Sequence, residues 1–174
     1  MPWFFERGRA LSRQTILELT QQCAETAKQR YSSDPKRILL LPPDITRIHS
    51  GSGWITEALY NYFAPHAEVF IMPTLGQHQP HTPQQNKKMF GSIPEDHILK
   101  HDCITGVKTV GSIPRTYVSA IMEGKADWDI PISVNSILFD KPWDIIISVG
   151  QVVPHEVVGF ANHNKNFIIG IGGR

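Results

Sequence analysis

The segment Arg37-Ile-Leu-Leu-Leu41 is a short, continuous apolar run that ends at Pro42-Pro43. A run of this kind is typical of a strand buried on both faces of a mostly parallel sheet, and prolines do not continue such a strand. The chain then enters a polar loop, residues 44–53, and an apolar stripe at helical spacing that stops at Pro65. This part of the sequence therefore predicts a strand, a loop and a helix, in that order.

The same order recurs further along the chain, and a helix precedes it. Residues 67–72 predict a second strand, followed by the loop 73–82 and a polar helix that begins near Pro83. Upstream, apolar side chains recur at three- and four-residue steps between residues 12 and 31, which is the period of an amphipathic helix. Alternating strands and helices favour an α/β sheet flanked by helices.

The second half of the sequence predicts further elements with less regular spacing. They are a helical piece at 94–100, strands at 107–110, 117–122, 130–134 and 143–149, and a last apolar run at 167–171. We therefore expect an α/β, Rossmann-like fold whose sheet is mostly parallel, or mixed toward its later strands. Residues 1–174 are predicted to form one domain, with 1–33 as a candidate N-terminal helical extension.

Composition and charge exclude several classes of protein. Seventeen Lys and Arg residues oppose sixteen Asp and Glu residues in a chain of 174, and neither sign collects into a run, so we expect neither a nucleic-acid partner nor a membrane partner. No apolar segment has the length of a signal-peptide core or a membrane span, which predicts a soluble, cytoplasmic protein. Cys23 and Cys103 stand apart, without the paired spacing of a zinc site.

Three loops at the carboxyl ends of predicted strands hold most of the unusual polar residues. Because ligands bind at this edge of an α/β sheet, we expect the loops to converge. The first loop carries Asp44, Thr46, Arg47, His49, Ser50, Gly51 and Gly53. Glycines at a helix start allow backbone N–H groups to approach an anion. The pattern matches neither the dinucleotide fingerprint nor a P-loop, and a surface turn that needs glycines explains it equally well.

The second and third loops contribute histidines and a lysine. His78 and His81 have a spacing that could also hold zinc, but a zinc site needs a third and usually a fourth ligand. His155 and Lys165 follow the strongest predicted strand, and each alone could be a solvated surface residue.

The combination of these residues is more informative than any one of them. His78 and His155 follow different strands, so they could face one substrate from two sides, and Arg47 offers a planar fork suited to a carboxylate. An imidazole titrates near pH 6.5, so one ring can accept a proton while the other delivers one. Two opposed histidines thus indicate inversion of a stereocentre.

Three segments in order resemble the N-terminal domain of the nickel-dependent lactate racemase family. They are 43–53, which contains Arg47, 75–78, which ends at His78, and 150–165, which runs from Gly150 through His155 to Lys165. The resemblance implies that the protein racemises or epimerises a 2-hydroxy acid with a nickel pyridinium-3,5-bisthiocarboxylate mononucleotide, the pincer cofactor, which moves the α-hydrogen as a hydride.

The resemblance also assigns roles to individual residues. Arg47 would bind the substrate carboxylate with Asp44 orienting it, His78 and His155 would be the acid/base pair, and Lys165 would tether the cofactor. The residues expected near the cofactor phosphate are Thr46, Ser50, Gly51 and Gly53.

The sequence departs from the family pattern at three places. Asn162-His-Asn-Lys165 replaces a glycine-rich run, and Gln79 stands where the family has a basic residue. The sequence therefore fits several substrates equally: lactate, sugar acids, and aryl or dicarboxylic 2-hydroxy acids. The chain is expected to lack the family's C-terminal domain and its downstream nickel-ligating histidine. His163 is the nearby candidate substitute, although packing or solvation explains it more simply.

Because of these departures, the sequence also fits functions other than racemisation. As the N-terminal part of such an enzyme, the chain is expected to be inactive alone. One alternative is a fragment that binds a carboxylate or nucleotide without turnover, and another is a zinc hydrolase that uses His78, His81 and His155. Expected partners are a small 2-hydroxy acid, the C-terminal domain and a possible second copy of the chain, since a domain deprived of its neighbour exposes apolar surface.

Overall fold

The computed structural model describes residues 10–31 and 34–174. Its helices and strands, in chain order, are α1 (Arg13–Arg30), β1 (Arg37–Leu41), α2 (Ser52–Phe63), β2 (Glu68–Ile71), α3 (Pro83–Phe90), β3 (Val107–Ile113), α4 (Arg115–Ile121), β4 (Ile130–Asn135), α5 (Ile137–Asp140), β5 (Ile145–Ser148), β6 (Pro154–His155) and β7 (Gly159–Phe160). Short 3-10 turns cover Ile45–Ser50 and Glu95–His97, and a π-helical turn covers Asn166–Gly170. No helix in these ranges is both long and apolar enough to cross a membrane.

Strand β1 is the centre of a three-stranded parallel sheet. It pairs with β2 on one edge and with β5 on the other, with Leu40 opposite Ile71 and Ile147. Four consecutive side chains of β1, from Ile38 to Leu41, are fully buried. The predicted α/β fold and its buried central strand are confirmed. Because the chain leaves β1 toward β2 but later returns to its opposite edge, the carboxyl end of β1 is a switch point in the sheet, where such folds bind ligands.

The two faces of β1 pack against different layers. Ile38 and Leu40 join a core formed with α2 and α3, which includes Phe63 and Phe90. Leu39 and Leu41 point the other way and pack with Met72 and Ile171. Successive strand side chains alternate between faces, so four neighbouring apolar residues supply both layers. This explains why the β1 sequence is continuous rather than alternating.

The helices before and after β1 begin and end close to their predicted positions. Helix α1 starts after the cap residue Ser12, whose hydroxyl accepts a hydrogen bond from the Thr15 N–H. Helix α3 starts at Pro83, and Thr82 and Gln85 form a reciprocal capping box there. The predicted extension at residues 1–33 is partly described: α1 covers its second part, whereas residues 1–9 and 32–33 lie outside the described ranges.

One predicted strand is wrong, and strands β3 and β4 do not join the parallel sheet. Residues 117–122 fall mostly in helix α4, which begins after Pro114. The apolar spacing of Tyr117, Val118 and Ile121 fits a helix as well as a strand. Strands β3 and β4 pair antiparallel with each other as a separate two-stranded sheet.

A buried histidine connects this antiparallel pair to the end of the described chain. His101 is only 6% exposed. Its Nδ1 accepts a hydrogen bond from the Asn135 side-chain amide at 2.9 Å, and its Nε2–H donates to the Gly172 carbonyl at 3.0 Å. Burial lowers the pKa of His101, against smaller opposing effects of the Gly172 carbonyl and of Asp102. His101 is therefore held in its neutral form by the folded structure.

Replacement of His101 by Phe should lower stability in a pH-dependent way. We expect a loss of about 1–3 kcal/mol at pH 7.5, because the amide of Asn135 and the carbonyl of Gly172 lose a buried partner. A histidine in an unfolded chain has a pKa of about 6.5, so below that pH unfolding of the native protein is accompanied by proton uptake at His101. The difference in the free energy of unfolding between the native protein and the variant should therefore shrink as the pH falls toward the lowered pKa of His101 in the folded state. Urea unfolding of both proteins between pH 7.5 and 5 measures this difference. A difference that stays constant with pH contradicts the prediction.

Candidate functional site

The loops after β1, β2 and β5 enclose a cleft of about 460 Å³. This volume is within the range of small-molecule sites. Seven residues that the sequence singled out line it: Asp44, Thr46, Arg47, Ser50, His78, His155 and Lys165. They come together because the three strands are parallel neighbours whose carboxyl ends share one edge. The expected convergence of the loops is confirmed.

Asp44 is a buried carboxylate immediately after β1, and it is 5% exposed. One oxygen accepts hydrogen bonds from the N–H and the hydroxyl of Thr46, at 2.9 and 2.5 Å, and so caps the 3-10 turn that carries Arg47. The other oxygen binds Nδ1 of His78 in the next loop. The same carboxylate therefore fixes the shape of one loop and the orientation of a side chain in another.

The partners of Asp44 keep it ionised. Burial alone would raise the pKa of this carboxyl, but the hydrogen bonds from Thr46 and His78 outweigh it and hold the pKa below its ordinary value. A carboxylate can only accept, so Nδ1 of His78 must carry the shared proton. In the neutral ring Nε2 of His78 is then the unprotonated nitrogen, on a side chain that is 65% exposed at the cleft.

His155 has the opposite arrangement. It lies in the short hairpin of β6 and β7, and its side chain is 14% exposed. The backbone N–H of Val157 donates to Nδ1 at 3.1 Å, so in the neutral ring the proton is on Nε2. The cleft thus contains one histidine held as a proton acceptor at Nε2 and one held as a donor at Nε2.

Arg47 is exposed on the 3-10 turn at the mouth of the cleft. Within residues 10–31 and 34–174, no side chain forms an ion pair with its guanidinium. The family resemblance predicts that Asp44 orients this guanidinium. Instead the contact between the two residues is a backbone hydrogen bond, from Arg47 N–H to the Asp44 carbonyl at 3.0 Å, while the carboxylate binds His78. Arg47 is therefore open to a ligand anion, and Asp44 positions His78.

Lys165 precedes the π-helical turn, in a loop held by amide side chains. Asn166 donates to the Ser148 hydroxyl at 2.8 Å and to the Asn162 side-chain oxygen at 2.7 Å, and Asn162 in turn donates to the Gly150 carbonyl at 3.1 Å. Asn162 and His163 both have positive φ, 63° and 51°, which non-glycine residues adopt only at a cost of about 1 kcal/mol or more each. These bonds join the lysine loop to β5.

Sequence reasoning missed Asn162 and Asn166 as site residues. The visible signal was that these two asparagines, four residues apart, flank the lysine in a segment with no glycine. Two predicted cofactor residues, Gly51 and Gly53, are not in the cleft lining. A Cβ on Gly53 would lie 2.1 Å from the Met89 carbonyl, so this glycine allows α2 to pack closely on α3.

His81, part of the zinc reading, does not face the cleft as a free ligand. Its Nε2 accepts from the Ile45 N–H at 2.8 Å, and its Nδ1–H donates to the Asn86 side chain at 3.0 Å, so both ring nitrogens are occupied. In the part of the chain that the structure describes, no three His, Cys, Asp or Glu side chains form a metal-binding group. His163 is not among the residues that line the cleft. The three-histidine zinc site therefore has no geometric support.

Comparison with known proteins gives the family. A sequence model of the lactate racemase N-terminal domain matches residues 13–174. The chain belongs to this family. No curated protein sequence matches it.

Two solved structures are similar to this lactate racemase N-terminal domain. A Thermotoga maritima protein from a structural-genomics programme is 25% identical, with a TM-score of 0.83 over 97% of this chain and 40% of that one. The lactate racemase apoprotein of Thermoanaerobacterium thermosaccharolyticum is 18% identical, with a TM-score of 0.62 over 88% of this chain and 37% of that one. The chain thus spans about two fifths of each protein.

The hydrogen bonds at the cleft predict opposite tautomers for its two histidines. In protein labelled with ¹⁵N-histidine at pH 8, His78 should carry its proton on Nδ1 and His155 on Nε2, and the ring nitrogen shifts report this directly. His78→Gln and His155→Gln assign the signals among the eight histidines. Asp44→Asn should move the His78 proton partly to Nε2 and leave His155 unchanged. Finding the same tautomer at both rings would contradict the assignment.

Proposed function

We propose that this domain provides the carboxylate-binding and acid/base groups of an enzyme that racemises or epimerises a 2-hydroxy acid. The observation that carries the proposal is the pair of histidines with opposite protonation at Nε2, in one cleft with an uncommitted arginine. Family membership supports the reaction class, and the activity of the longer relatives is part of the proposal.

Arg47 binds the substrate carboxylate. Its guanidinium presents two parallel N–H donors, which match the two oxygens of a carboxylate and fix the direction of the bound molecule. The substrate carbon that carries the hydroxyl then lies next to the carboxylate, between the loops that hold His78 and His155.

His78 accepts the hydroxyl proton of the substrate at Nε2. The resulting imidazolium is stabilised by the Asp44 carboxylate on Nδ1, which remains ionised throughout. Asp44 also prevents the ring from turning, since its own position is fixed by Thr46. Proton abstraction is thereby assigned to the β2 side of the cleft.

His155 holds the same oxygen from the β5 side. As a neutral ring it donates a hydrogen bond from Nε2 and does not release that proton at neutral pH. It becomes a proton donor when Nδ1 is protonated as well. Protonation of Nδ1 breaks its hydrogen bond from the Val157 N–H, and the Glu156 carboxylate, 3.7 Å away, would stabilise the charged ring electrostatically. Inversion in either direction then uses the two rings in opposite order.

The residues present fit the pincer cofactor. Lys165 lines the cleft and forms no ion pair with the described residues, and the Thr46 and Ser50 hydroxyls lie on the same cleft as candidate phosphate ligands. Lys165 would hold the group covalently. When bound, the group supplies a hydride acceptor, which avoids forming a carbanion beside the substrate carboxylate.

Substitution at Arg47 tests carboxylate binding. Arg47→Lys keeps the charge but loses one of two charge-assisted hydrogen bonds, so the dissociation constant for lactate should rise about tenfold. Arg115→Lys, on helix α4 outside the cleft lining, is the matched control and should change nothing. Ligand-observed NMR on the 174-residue chain measures both. Equal effects of the two substitutions would show that Arg47 does not bind the substrate carboxylate.

Loading with the pincer nucleotide tests the reaction. We expect a mass adduct at Lys165 that is absent in Lys165→Arg and retained in Lys100→Arg. The full-length protein, once loaded, should invert at least one member of a panel of chiral 2-hydroxy acids, followed by chiral chromatography, and in it His78→Gln or His155→Gln should lower the rate about 10²- to 10⁴-fold. An adduct with stoichiometric nickel but no inversion of any acid refutes the racemase function. Carboxylate binding without an adduct indicates a non-catalytic binding domain.

A further inference from the structure

Asn166 is a buried polar residue next to the lysine of the cleft. It is 4% exposed, and its side-chain amide donates to the Ser148 hydroxyl at 2.8 Å and to the Asn162 side-chain oxygen at 2.7 Å. The Ser148 hydroxyl donates to the same oxygen of Asn162 at 2.8 Å. The three side chains thus form a closed hydrogen-bond triangle between the end of β5 and the loop that leads to Lys165.

The hydrogen-bond triangle stabilises a strained backbone conformation. Asn162 and His163 have positive φ, and such residues keep this conformation only where the surrounding structure holds them. The Asn162 amide also donates to the Gly150 carbonyl at 3.1 Å, so both polar atoms of this side chain are bound. The backbone N–H of Lys165 donates to the Asn162 carbonyl at 3.2 Å. The place of the lysine therefore depends on the conformation that the triangle stabilises.

The turn that follows the lysine connects the triangle to the loop of His78. Residues Asn166–Gly170 form a π-helical turn, and Lys165 is the cap residue at its start. At the other end of the turn, the Gly170 carbonyl accepts a hydrogen bond from the Gly76 N–H at 2.8 Å, two residues before His78. Short π-helical segments are frequent at functional sites. One turn thus contacts both the lysine and the loop of the proton acceptor.

The far end of the turn is also fixed. A Cβ on Gly170 would lie 2.6 Å from the Cβ of Thr74, so the turn packs directly on the segment after β2. Ile171 is fully buried in a core cluster, and its N–H donates to the Asn166 carbonyl at 3.0 Å. Asn166 therefore acts twice: its side chain binds the start of the turn to β5, and its carbonyl closes the turn.

We propose that Asn166 is a positioning residue that sets where Lys165 lies in the cleft relative to His78. This inference rests on the proposed function, in which the lysine is the tether and the histidine accepts a proton. Both amide hydrogens of Asn166 are used within the triangle, so the residue acts on the reaction through the lysine and not by binding the substrate.

Loading of the full-length protein with the pincer nucleotide measures the position of the lysine. Asn166→Leu keeps a side chain of similar size but removes both donors, so the adduct at Lys165 should form about 10- to 100-fold more slowly, as followed by mass spectrometry. Asn135→Leu is the matched control, because Asn135 is likewise buried, 5% exposed and bonded to His101, but lies outside the cleft lining. The control should lose stability and keep the native loading rate. Native loading in Asn166→Leu, or an equal loss in both variants, overturns the proposal.

A milder variant keeps the test valid if Asn166→Leu folds poorly. Ser148→Ala removes one corner of the triangle outside the cleft lining and should slow loading about threefold. Because both side chains act in one network, the double variant should load no more slowly than Asn166→Leu alone. Independent, additive effects of the two substitutions contradict the proposed network.

Steady-state kinetics separate positioning from a loss of structure. In the loaded enzyme, kcat per adduct should fall at least about tenfold in Asn166→Leu, whereas KM for the 2-hydroxy acid, which depends on Arg47, should change less than about twofold. If this variant loads and turns over like the native enzyme, Asn166 is not a positioning residue and the proposed function stands. If the native enzyme forms no adduct at Lys165 or inverts no acid, the proposed function fails and the inference fails with it.

Discussion

The buried carboxylate of Asp44 is the constraint on which the site depends. An ionised group that is 5% exposed must have hydrogen-bond partners, because an unpaired buried charge would cost several kcal/mol. Thr46 and His78 provide them from two different loops. The requirement to satisfy one carboxylate thus sets the turn that presents Arg47, the tautomer of His78, and the contact between the loops after β1 and β2. The network from Ile45 through His81 to Asn86 reinforces the same contact with neutral groups.

Much of the fold follows from the sequence because a few patterns have one physical interpretation. Five residues of β1 between a polar loop and two prolines allow only a central, doubly covered strand, and parallel neighbours bring their carboxyl ends together. The failure at residues 117–122 has an equally plain cause. The spacing of Tyr117, Val118 and Ile121 fits the period of a helix as well as that of a strand. The helix forms because Pro114 precedes it and because β3 and β4, on either side of it in the sequence, pair with each other.

The residues that line the site were easier to predict than the hydrogen bonds between their side chains. The residues of the cleft follow from strand order, but spacing alone does not decide whether Asp44 binds Arg47, on its own loop, or His78, on the neighbouring loop. The amide network of Asn162 and Asn166 depends on Ser148, which is remote in sequence and adjacent in space. The tautomers of His78 and His155 depend on a carboxylate and on a backbone N–H, and neither is visible until the chain is folded.

The order of the parallel sheet has a consequence for how the protein is made. The contact that begins the β1–β5 edge, from Arg37 N–H to Asp144, joins residues 107 apart. During synthesis, β1 can pair with β2 early, but its other edge presents unpaired backbone groups until β5 has left the ribosome. Long-range pairing of this kind is slow, and an open apolar edge invites association with other chains. His155 and Lys165 follow β5 in the sequence. A nascent chain therefore cannot complete the cleft that these two residues line before this edge has closed.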